Sequence, residues 1–273
     1  MSDERAVPEL NTSVPHPARM YDYYLGGKDN FAADREAAEK VVAAAGGGIE
    51  AARLIVGENR KFLTRAVRML VESGIEQFLD LGTGIPTSPN VHETAQQVNP
   101  KVRVVYVDND PIVLVHARAL MASGDAGKTT IAQADVREPE KILGHPEVLG
   151  TLDLDRPMAI MLVAVLHFLR DSDDPYGVVA RLLAAAPAGS YLVISHVTQD
   201  FDPEAASRGA QVYDKATAPM VARTRDEVVR FFDGLELLDP GVVQVSHWRP
   251  DGPVPYFPNN APWVWGGVAR KPE

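Results

Sequence analysis

The chain has 273 residues, 45% hydrophobic and 23% charged, with a formal net charge of -10 and no cysteine. That length and composition suit one large α/β domain with additions and a full apolar core. The negative balance argues against a general nucleic-acid binder, which must neutralise many phosphates with Lys and Arg, and the missing thiols exclude disulfides, thiolate chemistry and zinc-thiolate sites.

Residues 1–15 carry charges and prolines without the apolar core of a secretory signal, and read as a flexible tail of a cytoplasmic protein. The longest apolar run, Met158 to Leu166, is far short of the ~20 residues that span a bilayer, so no membrane partner is expected. Residues 16–74 form an N-terminal extension with helices expected over 31–45 and 49–72.

From residue 75 to 273 strand and helix signals alternate. A strand over 75–81 precedes Ser88-Pro89, a capping residue and first-turn proline for a helix to about Val98. The β-branched run 102–107 is a second strand, and Asp110-Pro111 repeats the cap-plus-proline signal for a helix through Met121. Residues 129–134 make a third strand. The continuous apolar run 158–165 has the pattern of a central parallel strand, followed by a helix from Asp174-Pro175. Residues 191–195 are the fifth strand. Thr224 and Glu227 form a capping box, and Gly234 is placed to end the helix that follows. The segments 242–248 and 263–269 have no helical pattern between them and are expected to pair antiparallel. Five β-then-α units and a closing hairpin give an α/β fold with a seven-stranded, mostly parallel sheet, its last strand antiparallel, and helices on both faces. This is the layout of Rossmann-like class I methyltransferases.

In such sheets ligands bind beyond the carboxyl ends of the strands. The first strand ends in Asp80-Leu81-Gly82-Thr83-Gly84, where Gly82 and Gly84 allow a sharp turn around Thr83 and a close approach of backbone to ligand. The third glycine of the dinucleotide pattern is missing. Asp80 would also place a negative charge near a pyrophosphate, whereas S-adenosylmethionine carries an ammonium and a sulfonium and no phosphate. Asp108 closes the second strand, where a carboxylate can accept from both ribose hydroxyls while Asn109 lies against adenine. After the third strand, Asp135 can accept from the adenine amino group and Val136 can contact the ring. Asp110 is better explained as a helix cap than as a ligand, and so is the acidic run Asp171 to Asp174. His16, His92, His116, His145 and His247 lack ligand spacing, and no metal site is expected.

Three stretches, His16 to Lys28, Val105 to Pro111 and Leu162 to Phe168, resemble an actinobacterial family of S-adenosylmethionine-dependent methyltransferases of undefined substrate. The likeness runs through nearly the whole chain after Pro15, including Trp248-Arg249-Pro250 and Gly266-Gly267-Val268. It implies the class I fold, S-adenosylmethionine as cofactor, S-adenosylhomocysteine as product, and a small-molecule acceptor methylated on O or N.

Among related methyltransferases an N-terminal segment often closes over the cofactor. That reading makes residues 16–74 a lid, with Arg19 pairing with the methionyl carboxylate and Tyr24 stacking or hydrogen-bonding nearby; the plain alternative is a packed extension. His167 follows the fourth strand, where a similar segment of plant-type O-methyltransferases supplies a histidine base, although Phe168 stands where those enzymes have an acid. A satisfied structural histidine is the competing reading. His196, after the fifth strand, is a second candidate base, with loop hydrogen bonding as its alternative. The segment 200–223, with Tyr213 and Met220, is placed to shape an acceptor pocket, as insertions there often do in similar methyltransferases. Two other readings keep the same pocket: a non-catalytic S-adenosylmethionine-binding regulator and an NAD-dependent oxidoreductase.

Overall fold

The computed structural model describes residues 11–121, 127–257 and 263–273. Three helices come first: α1 (Pro17–Leu25), α2 (Ala32–Ala44) and α3 (Ile49–Glu72). Five parallel strands follow, β1 (Gln77–Leu81), β2 (Arg103–Asp108), β3 (Lys128–Gln133), β4 (Ala159–Val163) and β5 (Tyr191–Val197). Between them lie α4 (Val91–Val98), α5 (Pro111–Met121), the short α6 (Pro139–Leu143) and α7 (Pro146–Leu149), and α8 (Pro175–Ala185). After β5 come α9 (Pro203–Tyr213), α10 (Arg225–Val229) and three strands, β6 (Glu236–Leu237), β7 (Val243–Gln244) and β8 (Val264–Arg270).

The sheet order is β3-β2-β1-β4-β5-β8-β6, with β7 also on β8. β8 runs antiparallel to β5, and β6 and β7 share its other edge, at Leu237↔Ala269 and Val243↔Gly266. Eight strands therefore occupy seven positions, as the sequence pattern implies, but the outer position is divided. The expected strand over 242–248 is only two residues long because the chain then curls into a 3-10 turn over Val245–His247. That turn buries Trp248 edge-on against Phe62 of α3, with ring centroids 5.4 Å apart. Arg65 of the same helix donates to the carbonyls of Val245 (2.6 Å) and Trp248 (2.9 Å), which replaces the ladder bonds a strand would have made.

Strand alternation sends side chains to two cores. Leu79 and Leu81 of β1, with Ile160 and Leu162 of β4, pack on the face covered by α8 and the segment after α10. Phe78, Ala159 and Met161 point the other way, against Phe62, Ala66, Val67 and Leu70, which recur at helical spacing along α3. Both faces of the central strands are buried, which is why their sequences are continuously apolar.

Several helix starts follow the expected chemistry. Asp110 accepts from Ile112 N, Asp174 from Gly177 N, and Thr224 and Glu227 cap one another across α10. Ser88 is not the cap of α4; Asn90 is, with its backbone N–H held by Glu93 at 2.6 Å. The sequence reading passed over α1, α6, α7 and α9, each of which begins on a proline; Asp202-Pro203 at α9 repeats the signal recognised at residues 110 and 174. Residues 1–10 of the expected tail lie outside the described residues. Its last five are tied down, with Val14 O accepting from Arg19 and Pro15 O from Thr217 N. Among the described residues, no helix is long and apolar enough to cross a membrane.

Candidate functional site

Strand order reverses between β1 and β4, and a cleft opens there beyond the carboxyl ends of the strands. It continues beneath the N-terminal helices as a cavity of about 430 Å³.

β1 delivers Asp80 to the cavity and hands over to a loop that requires glycine. Gly82 has φ 70°, and a Cβ there would lie 2.3 Å from Val165 Cγ2; Gly84 has φ 65°. Gly82 N donates to Val107 O at 2.8 Å and Gly84 N to Asp108 Oδ2 at 2.9 Å, so the loop is fastened to the end of β2. The Thr83 hydroxyl donates to Asp80 O at 3.2 Å and closes the turn.

Asp80 is almost fully buried, and burial pushes its carboxyl up to about 7, with Arg60 opposing the rise and Asp108 adding to it. Asp108 is raised to about 6, again chiefly by burial, against the backbone N–H groups of Asp110 and Gly84 that it accepts. Each Asp108 oxygen gives one lone pair to the protein and keeps another, an arrangement able to receive two neighbouring hydroxyls. Two buried acids facing one cavity suit a ligand that brings both positive charge and hydroxyl donors.

Asn109, Asp135 and Val136 line the same cavity. Arg137 grips both oxygens of Asp135, with Nε donating to Oδ1 at 2.9 Å and a terminal nitrogen to Oδ2, and this ion pair holds the carboxyl below the usual range. Asn109 Nδ2 lies 3.5 Å from Asp135 Oδ2. A ligand amino group at Asp135 would therefore share it with Arg137, two residues on, whose pairing the sequence pattern did not indicate.

The N-terminal extension covers this loop. Ala18, in the first turn of α1, sits 3.9 Å from where a Cβ on Gly84 would be, and His16 Nδ1, the cap of that helix, lies 3.3 Å from Asp110 Oδ2. Arg19 does not serve the role expected of it. Its guanidinium is buried, donating to Asp34 Oδ2 at 2.8 Å and to Val14 O at 2.6 Å, and it is absent from the cavity wall. Asp34 also receives the backbone N–H groups of His16 and Phe31, so Arg19 is the counter-charge of an internal knot. Besides Arg137, the arginine that lines the cavity is Arg60, on α3, which donates to Thr87 O and Pro89 O at 2.6 Å each and faces Asp80. Tyr24 lines the cavity, but its hydroxyl lies 3.2 Å from Ala38 O and beside Tyr213, and burial lifts its pKa well above the tyrosine range.

β4 is followed by Ala164, a non-glycine residue at φ 58°, and then by a 3-10 turn over Leu166–Phe168. His167 is buried in the cavity wall and its Nδ1 has no hydrogen-bond partner. Burial, with His196 and Arg223 adjacent, holds its imidazole well below the ordinary histidine range, so it is neutral. His196 is not a base. It is fully buried, Nδ1 donates to Val197 O at 2.7 Å, Nε2 accepts from Arg223 at 3.0 Å, and burial drives its pKa down to about 3. Arg223 also donates to Leu166 O, Leu169 O and Asp171, which fixes the turn that carries His167. Its importance was invisible in sequence because its partners lie 27 to 57 residues upstream.

A family model described as S-adenosyl methyltransferase matches residues 3–272. No curated protein matches the chain. Among solved structures, the chain is similar to a DUF574 family protein from Streptomyces avermitilis, with 46% identity, a TM-score of 0.91, and 97% of this chain and 100% of that one covered. It is also similar to a candidate methyltransferase from Thermobifida fusca, with 44% identity, a TM-score of 0.88, and coverage of 97% and 98%. An O-methyltransferase family protein from Burkholderia thailandensis, at 12% identity and a TM-score of 0.52 over 82% of this chain and 59% of that one, shares the fold.

Proposed function

The chain belongs to the S-adenosyl methyltransferase family and is an S-adenosylmethionine-dependent methyltransferase, and from that premise we propose that its cofactor lies across Asp80, the Gly82–Gly84 turn and Asp108, with a small-molecule acceptor beneath the N-terminal helices. The observation that carries this placement is the convergence of two buried carboxylates and a glycine turn on one cavity.

When bound, S-adenosylmethionine supplies an electrophilic methyl on sulfur and leaves as S-adenosylhomocysteine. Asp80, facing Arg60, balances the methionyl ammonium, while Arg60 takes the methionyl carboxylate in place of Arg19. Asp108 receives the ribose hydroxyls on its two remaining lone pairs. Asn109 and Val136 sandwich the adenine, and Asp135 accepts its amino group alongside Arg137. Gly82 and Gly84 bring the backbone close enough for these contacts to be made at once. The α1 segment, seated on Gly84, acts as the lid that excludes water.

His167 faces the acceptor. Its neutral imidazole with an open Nδ1 can take a proton from an acceptor hydroxyl, and its low basicity sets the direction of a test. A His167→Asn variant should lose about 100-fold in kcat for a hydroxyl acceptor and very little for a neutral amine. Incubation with labelled S-adenosylmethionine and an extract of the host, followed by mass spectrometry, identifies the product. Binding of S-adenosylhomocysteine without any product would favour a regulator that retains the pocket.

A further inference from the structure

The two halves of the cavity differ in charge. Among the residues that line it, the charged side chains are Arg60, Asp80, Asp108, Asp135 and Arg137, and all lie at or facing the ends of β1 to β3. Beyond them the wall is mostly apolar and is built largely from helices α1, α2, α3 and α9. On α3 the lining positions Ala52, Ile55, Val56, Asn59, Arg60 and Leu63 fall three or four apart, so a single helix face runs from apolar to polar toward the cofactor loop. The C-terminal part of α2 contributes Val41 and Val42, with Ala45 just beyond it, and α9, packed against α2, contributes Ala205, Ala206 and Gly209.

At the boundary stands Asn59, which is 2% exposed. Its Nδ2 donates to the Tyr21 hydroxyl at 3.0 Å, and its Oδ1 is buried with no partner. A buried carbonyl oxygen left unpaired is destabilising, and a hydrogen-bond donor on a ligand would relieve it. His167, which follows β4, is the other cavity-lining residue among those described with a buried, unpaired side-chain atom, its Nδ1.

Building on the methyltransferase reading above, we propose that the acceptor is a neutral, largely apolar small molecule whose body lies against α2, α3 and α9 and which carries, apart from the atom that is methylated, a hydroxyl that donates to Asn59. A carboxylate or an ammonium entering this half would be stripped of water with no counter-charge to meet it. A compact apolar body gains from the same walls by leaving water.

The test uses three probes with one aromatic body and different charge: naphthol, naphthoate and naphthylmethylammonium. Each is titrated at pH 7.5 into the protein saturated with S-adenosylhomocysteine. Naphthol should bind about tenfold or more tighter than either ion, and Asn59→Leu should remove about tenfold of its affinity while changing that of S-adenosylhomocysteine less than about twofold. Gly209→Leu, in which the new side chain projects between Val41 and Met220, should block all three probes and again spare S-adenosylhomocysteine. Equal or tighter binding of an ion, no naphthol binding to the loaded protein, or an unchanged naphthol affinity in Asn59→Leu would overturn the proposal. Failure of S-adenosylhomocysteine to bind the wild-type protein would instead overturn the cofactor placement on which it rests.

Discussion

The strand-end half of the cavity, where we place the cofactor, and the helix-lined half, where we place the acceptor, are made by different means. The first is assembled from the ends of three adjacent strands, where each turn presents one acid: Asp80, Asp108 and Asp135. The second is assembled from helix faces contributed by α1, α2, α3 and α9, and its chemistry is that of small apolar side chains with isolated polar atoms. A parallel sheet fixes the spacing of its strand ends, so polar residues placed there are held by backbone that the core already immobilises. Helix faces can change their side chains without altering the sheet, which makes this half the natural place for acceptor choice to vary.

The largest expected effect separates structure from ligand binding within the N-terminal extension. Arg19→Met should destabilise the protein by about 3–5 kcal/mol, because Asp34, fully buried, would lose its counter-charge. Denaturant unfolding measures this, and the folded variant should bind S-adenosylhomocysteine as the wild type does. Weakened binding with unchanged stability would restore Arg19 to the site. Gly82→Ala should cost about 2–4 kcal/mol, from the positive φ and the overlap with Val165, and should abolish cofactor binding.

Asp80 tests the electrostatics of the cofactor half. Its folded pKa, about 7, lies above that of an unfolded aspartate, so between about pH 4 and 7 the empty folded protein holds more protons than the unfolded chain and loses stability as pH rises. Asp80→Asn should therefore stabilise the empty protein at pH 8 by about 1–3 kcal/mol while weakening cofactor binding. With both acids binding the cofactor in their ionised form, as proposed, wild-type affinity should fall as pH drops below about 7 and then below about 6, where Asp108 also protonates. A pH-independent affinity between about 5 and 8, tested by calorimetry, would count against both carboxylates; these limits are set about one unit outside the two titrations. The smallest effect belongs to the acceptor half. Gly209→Ala should stabilise by about 0.5–1 kcal/mol, since its Cβ meets Val41 and Met220 at 3.8 and 3.9 Å, which is ordinary contact inside a helix.

The same division explains what was legible in the sequence. Asp80, Gly82, Gly84, Asp108, Asn109, Asp135 and Val136 could be placed because strand ends are marked locally, by an apolar run followed by a glycine or an acid. All of them line the cavity. Arg19 was misassigned because its partner Asp34 sits on a different helix, and an arginine near a site looks the same whether it faces the ligand or an internal acid. Asn59 and Arg60 carry no local mark at all; they emerge only when the α3 face is turned toward the cavity. Arg223 depends on carbonyls after β4, which the linear pattern does not bring near it. The split edge of the sheet was equally hidden, since it follows from burying Trp248 against Phe62 rather than from the strand propensity of residues 242–248.

The most direct test of the cofactor placement is a calorimetric titration of S-adenosylhomocysteine into the wild type and into Asp108→Ala at pH 7.5, with folding of both confirmed by thermal unfolding. Loss of charge-assisted hydrogen bonds to the ribose should weaken binding by about 1.5–3 kcal/mol, roughly 10- to 150-fold. An unchanged affinity in the folded variant would contradict the account and remove Asp108 from the site.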